Sequence, residues 1–443
     1  MNPQHFENEF LSIDLTDEPG CVLKMEVKAT PKTVAEAHRN ALSAVRKEVS
    51  LPGFRKGKVP ESLLNTHFAK AIDQEWKDQT LNLSFQKVLE LTGKNPIRAS
   101  ADKIKSKLKT FNGLNSPAEI YFEFEGFPAV PAFEMNSLSL AVPSPKEVSD
   151  ADVDEVIESA RQSLGTWEKV EGRAAAKGDF IRLDMVEAEG DETAIFQDRR
   201  LIIADKKMAP WLMEIVVGMN TGESKEGVSV PDQSLDDNAI DKELKALFKP
   251  IRYRVTLQAI ETPVLPELDD EFAKKLGATD VAQMKETIRK QISAQREHER
   301  RTKLIEALEE ALFEKHNFDL PKSLVSKDTL SFEHSKTQAL RSQGHLTDDE
   351  IKEHKELIRS LAEKESRKRL ALYYLMNEFN TKNNVQVSRD DLNAKLSQLL
   401  SHIPQEMVPQ VVKSLNDDFY AAILSETVIE KGLDYIAEKL LAA

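Results

Sequence analysis

The sequence predicts a multidomain α+β protein: an N-terminal α+β module, a β-rich middle module, and an all-α C-terminal domain with extended arms. Three observations carry this. The chain has 443 residues, and domains run to roughly 100–200 residues, so two to four are expected. Alternating apolar and polar residues flank a helical stretch near the start and recur between residues 178 and 261. After Glu267 the pattern turns almost wholly helical. Aromatic residues make up only 6% and glycines number 16, which favours long charged helices over many small sheets.

Taken in order, Cys21–Ala29 alternates and reads as a half-buried strand. Pro31 opens a helix to about Val49, with Val34, Ala41, Val45 and Val49 on one face. The loop LPGFRKGKVP follows, and Pro60 opens a second helical stretch, Glu61–Leu91, stopped by Gly93 and Pro96. Ile120–Phe127 alternates again and is expected to pair with the first strand. Residues 130–150, with three prolines, read as an extended linker, followed by a short helix over Asp152–Trp167. DFIRLDMVEA, RRLIIA, SKEGVSV and IRYRVTLQAIE are the candidate strands of the middle module.

One helix is expected from Val281 to His316, roughly 50 Å long at 1.5 Å per residue. Its central AQREHERRTK has almost no apolar face, so it must project into water or lean on one partner. Further helices are expected over Pro321–Ser342, Thr347–Phe379, Arg389–Ser401 and Glu406–Leu441.

Composition excludes several functions. A single cysteine, Cys21, allows no disulfide within the chain and no cysteine metal site. The first residues lack a basic start followed by an apolar run, and the longest mostly apolar run, Met208 to Met219, is far too short for a bilayer. The compartment expected is the cytoplasm, with no membrane partner. No Walker-type phosphate loop occurs and the nine histidines show no His-Glu-x-x-His spacing, so neither cofactor nor metal is expected. His298 and His316 lie on charged helices and read as solvated.

The net charge of −14 argues against DNA or broad nucleic-acid binding. Its distribution is uneven. Between Pro31 and Lys70 eight Lys/Arg stand against three Glu, a basic spot suited to one local anionic partner. Within it, Gly53-Phe54-Arg55-Lys56-Gly57-Lys58-Val59-Pro60 sets three cations and one aromatic on a loop between two helices. Its glycines permit tight turns and its prolines limit the entropy lost on binding, so the cations can meet phosphates or carboxylates. A solvated basic turn is the bland alternative.

This octapeptide resembles the ribosome-docking signature of trigger factors, Gly-Phe-Arg-x-Gly-x-x-Pro, at every fixed position. Asp152–Trp167, Pro266–Gly277, Phe318–Val325 and the tail SETVIEKGLDYIAEKL are also similar to that family, so the resemblance spans essentially the whole chain. It implies a ribosome-binding domain over 1–128, a linker and linker helix over 129–164, an FK506-binding-type prolyl isomerase domain over 165–262, and a helical client-binding domain over 263–443. Gly53, Phe54, Arg55, Lys56, Gly57, Lys58 and Pro60 would meet ribosomal RNA and protein at the exit tunnel. Nascent and unfolded polypeptides would be held by the helices, and a weak homodimer off the ribosome is left open.

The isomerase implied by the resemblance needs a dry aromatic pocket rather than an acid, base or nucleophile. Phe196, Met208 and Tyr253 are the residues that could line it. Other positions depart from the family. Ala209, Trp211 and Leu212 stand where a larger aliphatic, a glycine and an aromatic are usual, Met185 replaces a phenylalanine, and the loop over 231–247 has no aromatic. A β-rich core without catalysis and a working or weak isomerase both remain open. The leading function is an ATP-independent holdase at the ribosome. The alternative is a prolyl isomerase whose helices only capture substrate. Tyr373–Phe379 and Ile403–Val412, apolar stretches set among charges, are the candidate client surfaces, with ordinary helix–helix core as the alternative for each.

Overall fold

The computed structural model describes residues 3–98, 103–135, 138, 140–142, 144–188, 194–205, 207–229, 242–245, 247–248, 250–342, 346–401 and 403–442. They form two compact units, each drawn from separated stretches of chain. One comprises residues 1–140, 308–334 and 359–443; the other comprises 141–307 and 335–358.

The N-terminal module contains β1 (Gln4–Glu7), β2 (Leu11–Glu18), β3 (Val22–Ala29), α1 (Pro31–Glu48), α2 (Glu61–His67), α3 (Ala69–Thr92), β4 (Lys105–Thr110) and β5 (Ala118–Glu125). The strands form an antiparallel sheet in the order β1-β2-β3-β5-β4. Period-two alternation sends Leu11, Ile13, Leu15, Met25, Val27, Ile120, Phe122 and Phe124 into one core beneath α1 and α3. The expected pairing of the first and last alternating stretches is present as β3 with β5. The segment expected as one helix from Glu61 is two, because Phe68 leaves helical geometry at φ −126°, ψ 24°.

α4 (Asp150–Leu164) is opened by a capping box in which Ser149 and Asp152 satisfy each other's backbone N–H groups. It ends before Trp167, which belongs instead to β6 (Thr166–Lys169) and packs edge-on against Phe180. The rest of the middle module is β7 (Phe180–Glu187), β8 (Ala194–Ile202), α5 (Pro210–Val216), β9 (Ser224–Val228), α6 (Lys242–Lys245) and β10 (Arg252–Val264). Its sheet runs β6-β10-β7-β8, with β9 also on β10. Ile181, Leu183, Val255, Leu257 and Ile260 meet Leu212 and Val216 of α5 in its core.

The helices that follow are α7 (Asp270–Lys275), α8 (Val281–Lys315), α9 (Lys322–Ser342), α10 (Asp348–Glu353), α11 (Lys355–Lys382), α12 (Arg389–Leu400), α13 (Val408–Ser414) and α14 (Asp417–Ala442). Two expected long helices are each broken, at His354 and at Leu415–Asn416. The polar centre of α8 leans on a partner: Arg296 donates to Asp152 at 2.6 Å and to the Glu147 carbonyl at 2.5 Å. Arg289 and Lys285 likewise meet Asp150 and Asp154 of α4. Hydrogen bonds from Ser149, then from Arg296, hold the Asp152 carboxyl well below the usual carboxylate range.

His316 departs from its expected solvation. Its ring is half-buried edge-on against Phe133, its Nε2 has no hydrogen-bond partner among the described residues, and burial lowers its pKa. Among the described residues no helix is long and apolar enough to cross a membrane.

Candidate functional site

The basic loop is built from two tight turns. Phe54 N–H donates to the Leu51 carbonyl at 3.0 Å, and Lys58 N–H to the Arg55 carbonyl at 2.9 Å. Gly53 and Gly57 occupy the third position of each, at φ +88° and +83°, where a side chain would be strained. Pro52 fixes φ at the second position of the first turn. Nothing lies within 4 Å of a Cβ added to either glycine, so backbone conformation alone requires them.

The turns project Arg55, Lys56 and Lys58 into solvent, and none has a carboxylate partner among the described residues. Phe54 is 39% exposed, high for an aromatic ring. Pro60 precedes α2 as its N-cap, and its carbonyl accepts from Leu63 and Leu64. Thus Gly53, Phe54, Arg55, Lys56, Gly57, Lys58 and Pro60 lie on one short segment between two helices.

Sequence reasoning missed what holds this segment. Val59 is 1% exposed and packs with Leu42, Val45, Leu64 and Ile72 in a small core of its own. Arg46 of α1 reaches Glu61 of α2 at 3.7 Å, tying the two flanks. The signal was available: Val59 is the one aliphatic residue between Pro52 and Pro60.

In the middle module, Met208 is buried, and Phe196 and Tyr253 are half-buried against the same cluster. Phe196 lies opposite Met185 across β7 and β8, with the Arg199 guanidinium 5.4 Å above its ring. The Trp211 indole stacks on Tyr253, with centroids 5.8 Å apart and planes 25° from parallel. It covers a face of the one tyrosine in that cluster. Burial, then the charge of Glu187, raises the Tyr253 hydroxyl pKa. The loop over 231–247 lies mostly outside the described residues.

The two candidate client surfaces separate. Tyr374, Leu375, Met376 and Phe379 are buried, so these apolar side chains of Tyr373–Phe379 are helix–helix core and not an apolar capture surface. Met407 is 52% exposed, and Val412 is exposed too, so Ile403–Val412 does present apolar surface. Leu399 of α12 with Tyr420 and Leu424 of α14 are further exposed apolar side chains, unmarked by any linear pattern.

Two family models match the chain: "Bacterial trigger factor protein (TF)" over residues 11–160, and "Bacterial trigger factor protein (TF) C-terminus" over 280–438. Curated relatives include a trigger factor of Protochlamydia amoebophila, 27% identical over 90% of this chain and 88% of the relative. One of Chlamydia trachomatis serovar A is 27% identical over 88% and 87%. One of Trichormus variabilis is 26% identical over 93% and 89%. A solved chain from a study of the trigger factor chaperone aligns over 96% of this chain and 99% of its own, at 17% identity and a TM-score of 0.47.

Proposed function

The chain belongs to the bacterial trigger factor family and its role is that of a chaperone; we propose that it docks at the ribosomal exit tunnel and holds nascent polypeptide in an open, folding-competent state without ATP. The observation that carries the docking is the Leu51–Pro60 loop, with three solvent-facing cations and an exposed phenylalanine on two glycine-dependent turns. A pre-shaped loop loses little entropy on binding, and unpaired cations keep their full charge for rRNA phosphates and acidic protein side chains. The exposed apolar side chains of α12 to α14 supply the client surface. The working compartment is the cytoplasm, and the domains divide at about residues 128, 164 and 262.

Co-sedimentation tests the docking. A folded Phe54→Ala, Arg55→Ala, Lys56→Ala variant should no longer pellet with ribosomes. Two lost charged contacts at roughly 1.5–3 kcal/mol each weaken binding at least a hundredfold. Unchanged pelleting sinks the assignment.

We read the middle module as the family's isomerase position with a degraded pocket. Trp211 stacks on Tyr253, one of the residues that could line an isomerase pocket. This supports a chaperone first and an isomerase second.

A further inference from the structure

A cavity of about 320 Å³ opens between the end of α11, the segment after it and α14. That volume is at the lower end of the roughly 300–1,000 Å³ of ligand sites. It is lined by Asn377, Asn380, Thr381, Asn384, Val385, Gln386, Val387 and Val428. No lining residue is charged, in a chain whose residues are 31% Asp, Glu, Lys and Arg. Four of the eight carry carboxamides. The lining therefore favours a neutral ligand that both donates and accepts hydrogen bonds.

Local structure accounts for some of these residues and leaves others unexplained. Asn384 sits at φ +57° and caps α11: Val385 N–H reaches the Asn380 carbonyl at 2.9 Å, and Asn384 N–H the Thr381 carbonyl at 3.4 Å. Thr381 spends its hydroxyl on the Asn377 carbonyl. The side chains of Asn377 and Gln386 are exposed and have no partner among the described residues. Asn380 is 5% exposed; its Nδ2 donates to the Val428 carbonyl at 2.9 Å, and its Oδ1 has no hydrogen-bond partner among the described residues. Gly432 makes room for it, since a Cβ there would come 2.9 Å from that oxygen. That acceptor is closed in against Gly432, so the groups open to a ligand are the exposed carboxamides of Asn377 and Gln386.

The segment Val385-Gln386-Val387 belongs to no helix or strand, with its valines half-buried and its glutamine exposed. This is the alternation of a strand with no neighbour. We infer that this pocket is a site for the main chain of an extended polypeptide, bound by carboxamides and by the 385–387 segment without regard to side chains. A peptide group offers one donor and one acceptor, as a carboxamide does, and carries no charge. The site deepens the client-holding role proposed above and rests on it. It adds sequence-independent contact beside the apolar surfaces.

The test uses the full chain and a fluorescent Gly-Ser peptide without apolar side chains, against the same peptide N-methylated along its backbone. Anisotropy should report binding of the first, and about tenfold weaker binding in an Asn377→Ala, Gln386→Ala variant, the effect of losing two neutral hydrogen bonds. Both positions are exposed, so an unchanged Tm is expected and verifies the fold. The N-methylated peptide should bind no better to wild type than to the variant. Equal binding of both peptides by wild type, or equal binding of the unmethylated peptide by both proteins, overturns the site. Aggregation suppression by wild type is measured in parallel. If that is present while the peptide result is negative, only the pocket is lost; if it is absent, the chaperone reading falls with it.

Discussion

Thr166 and Val264 face each other as an antiparallel pair, so the β-rich module leaves the chain beside the point where it enters. Gly165, just before the pair, is close enough that a Cβ there would lie 2.9 Å from the Val264 carbonyl oxygen. Excision is therefore geometrically mild. Joining Gly165 to Leu265 through a short Gly/Ser linker should leave aggregation suppression of a refolding client largely intact. Complete loss in a folded variant would place the client surface in the excised module.

The docking loop should fail through its support as well as its tip. Val59→Ala removes buried volume from a small core and should cost about 2 kcal/mol locally. Gly57→Val forces a β-branched residue to positive φ and should cost more than about 1 kcal/mol. Both should lower ribosome affinity several-fold with Arg55, Lys56 and Lys58 untouched, and binding should weaken as salt rises. Wild-type affinity in Gly57→Val would mean that the turn geometry is irrelevant to docking.

Isomerisation of a prolyl peptide should be much slower than in a relative with the full aromatic pocket. Each kcal/mol of lost transition-state binding slows the step about fivefold. Trp211→Gly uncovers Tyr253, while Leu212→Phe alone overpacks a buried position at about 1–3 kcal/mol. The pair together exchanges the covering indole for a smaller aromatic wall and should raise kcat/KM in an assay of cis-to-trans relaxation. A wild-type kcat/KM equal to that of an intact-pocket relative would refute this reading.

Two titrations should act in opposite senses. Asp391 of α12, hydrogen-bonded first by Lys431 and then by Ser388, has its pKa lowered from 3.8 to about 2. A depressed carboxyl stabilises above its unfolded pKa, and that contribution is lost as pH falls from about 4 toward 2. His5, raised chiefly by its hydrogen bond to Asp14, stabilises the β1–β2 edge below its usual 6.5 and loses this as pH rises through its folded value. Protection factors from hydrogen exchange should show the first loss in α12 and the second in β1. Asp391→Asn and His5→Gln should each flatten one profile and leave the other.

Much of the fold was legible because burial imposes periodicity. Met25, Val27, Ile120 and Phe122 alternate, and the strands they mark pair as expected. Leu11, Ile13 and Leu15 alternate as clearly and mark β2. The breaks at Phe68 and His354 carry neither glycine nor proline, and only tertiary packing selects them. The basic loop was legible because turn chemistry and charge are local. The partners of its anchor Val59 and the carboxamide pocket were not, since each depends on residues brought together from separate helices.

The discontinuous build of the first unit has a consequence for its own synthesis. Residues 6–124 hold the side chains of the N-terminal sheet core. The seam that joins Gly20 to Asp319 and Glu125 to Ser323 must wait for about two hundred further residues. Leu375, Met376 and Phe379 of α11 wait longer, because α14 covers that region, with Gly432 lying against Met376. About fifty residues separate Phe379 from Gly432, which at 5–20 residues per second is about 3–10 s of translation. For those seconds a half-made copy is itself a chain with an uncovered apolar face, the very condition in which a chaperone's shelter matters.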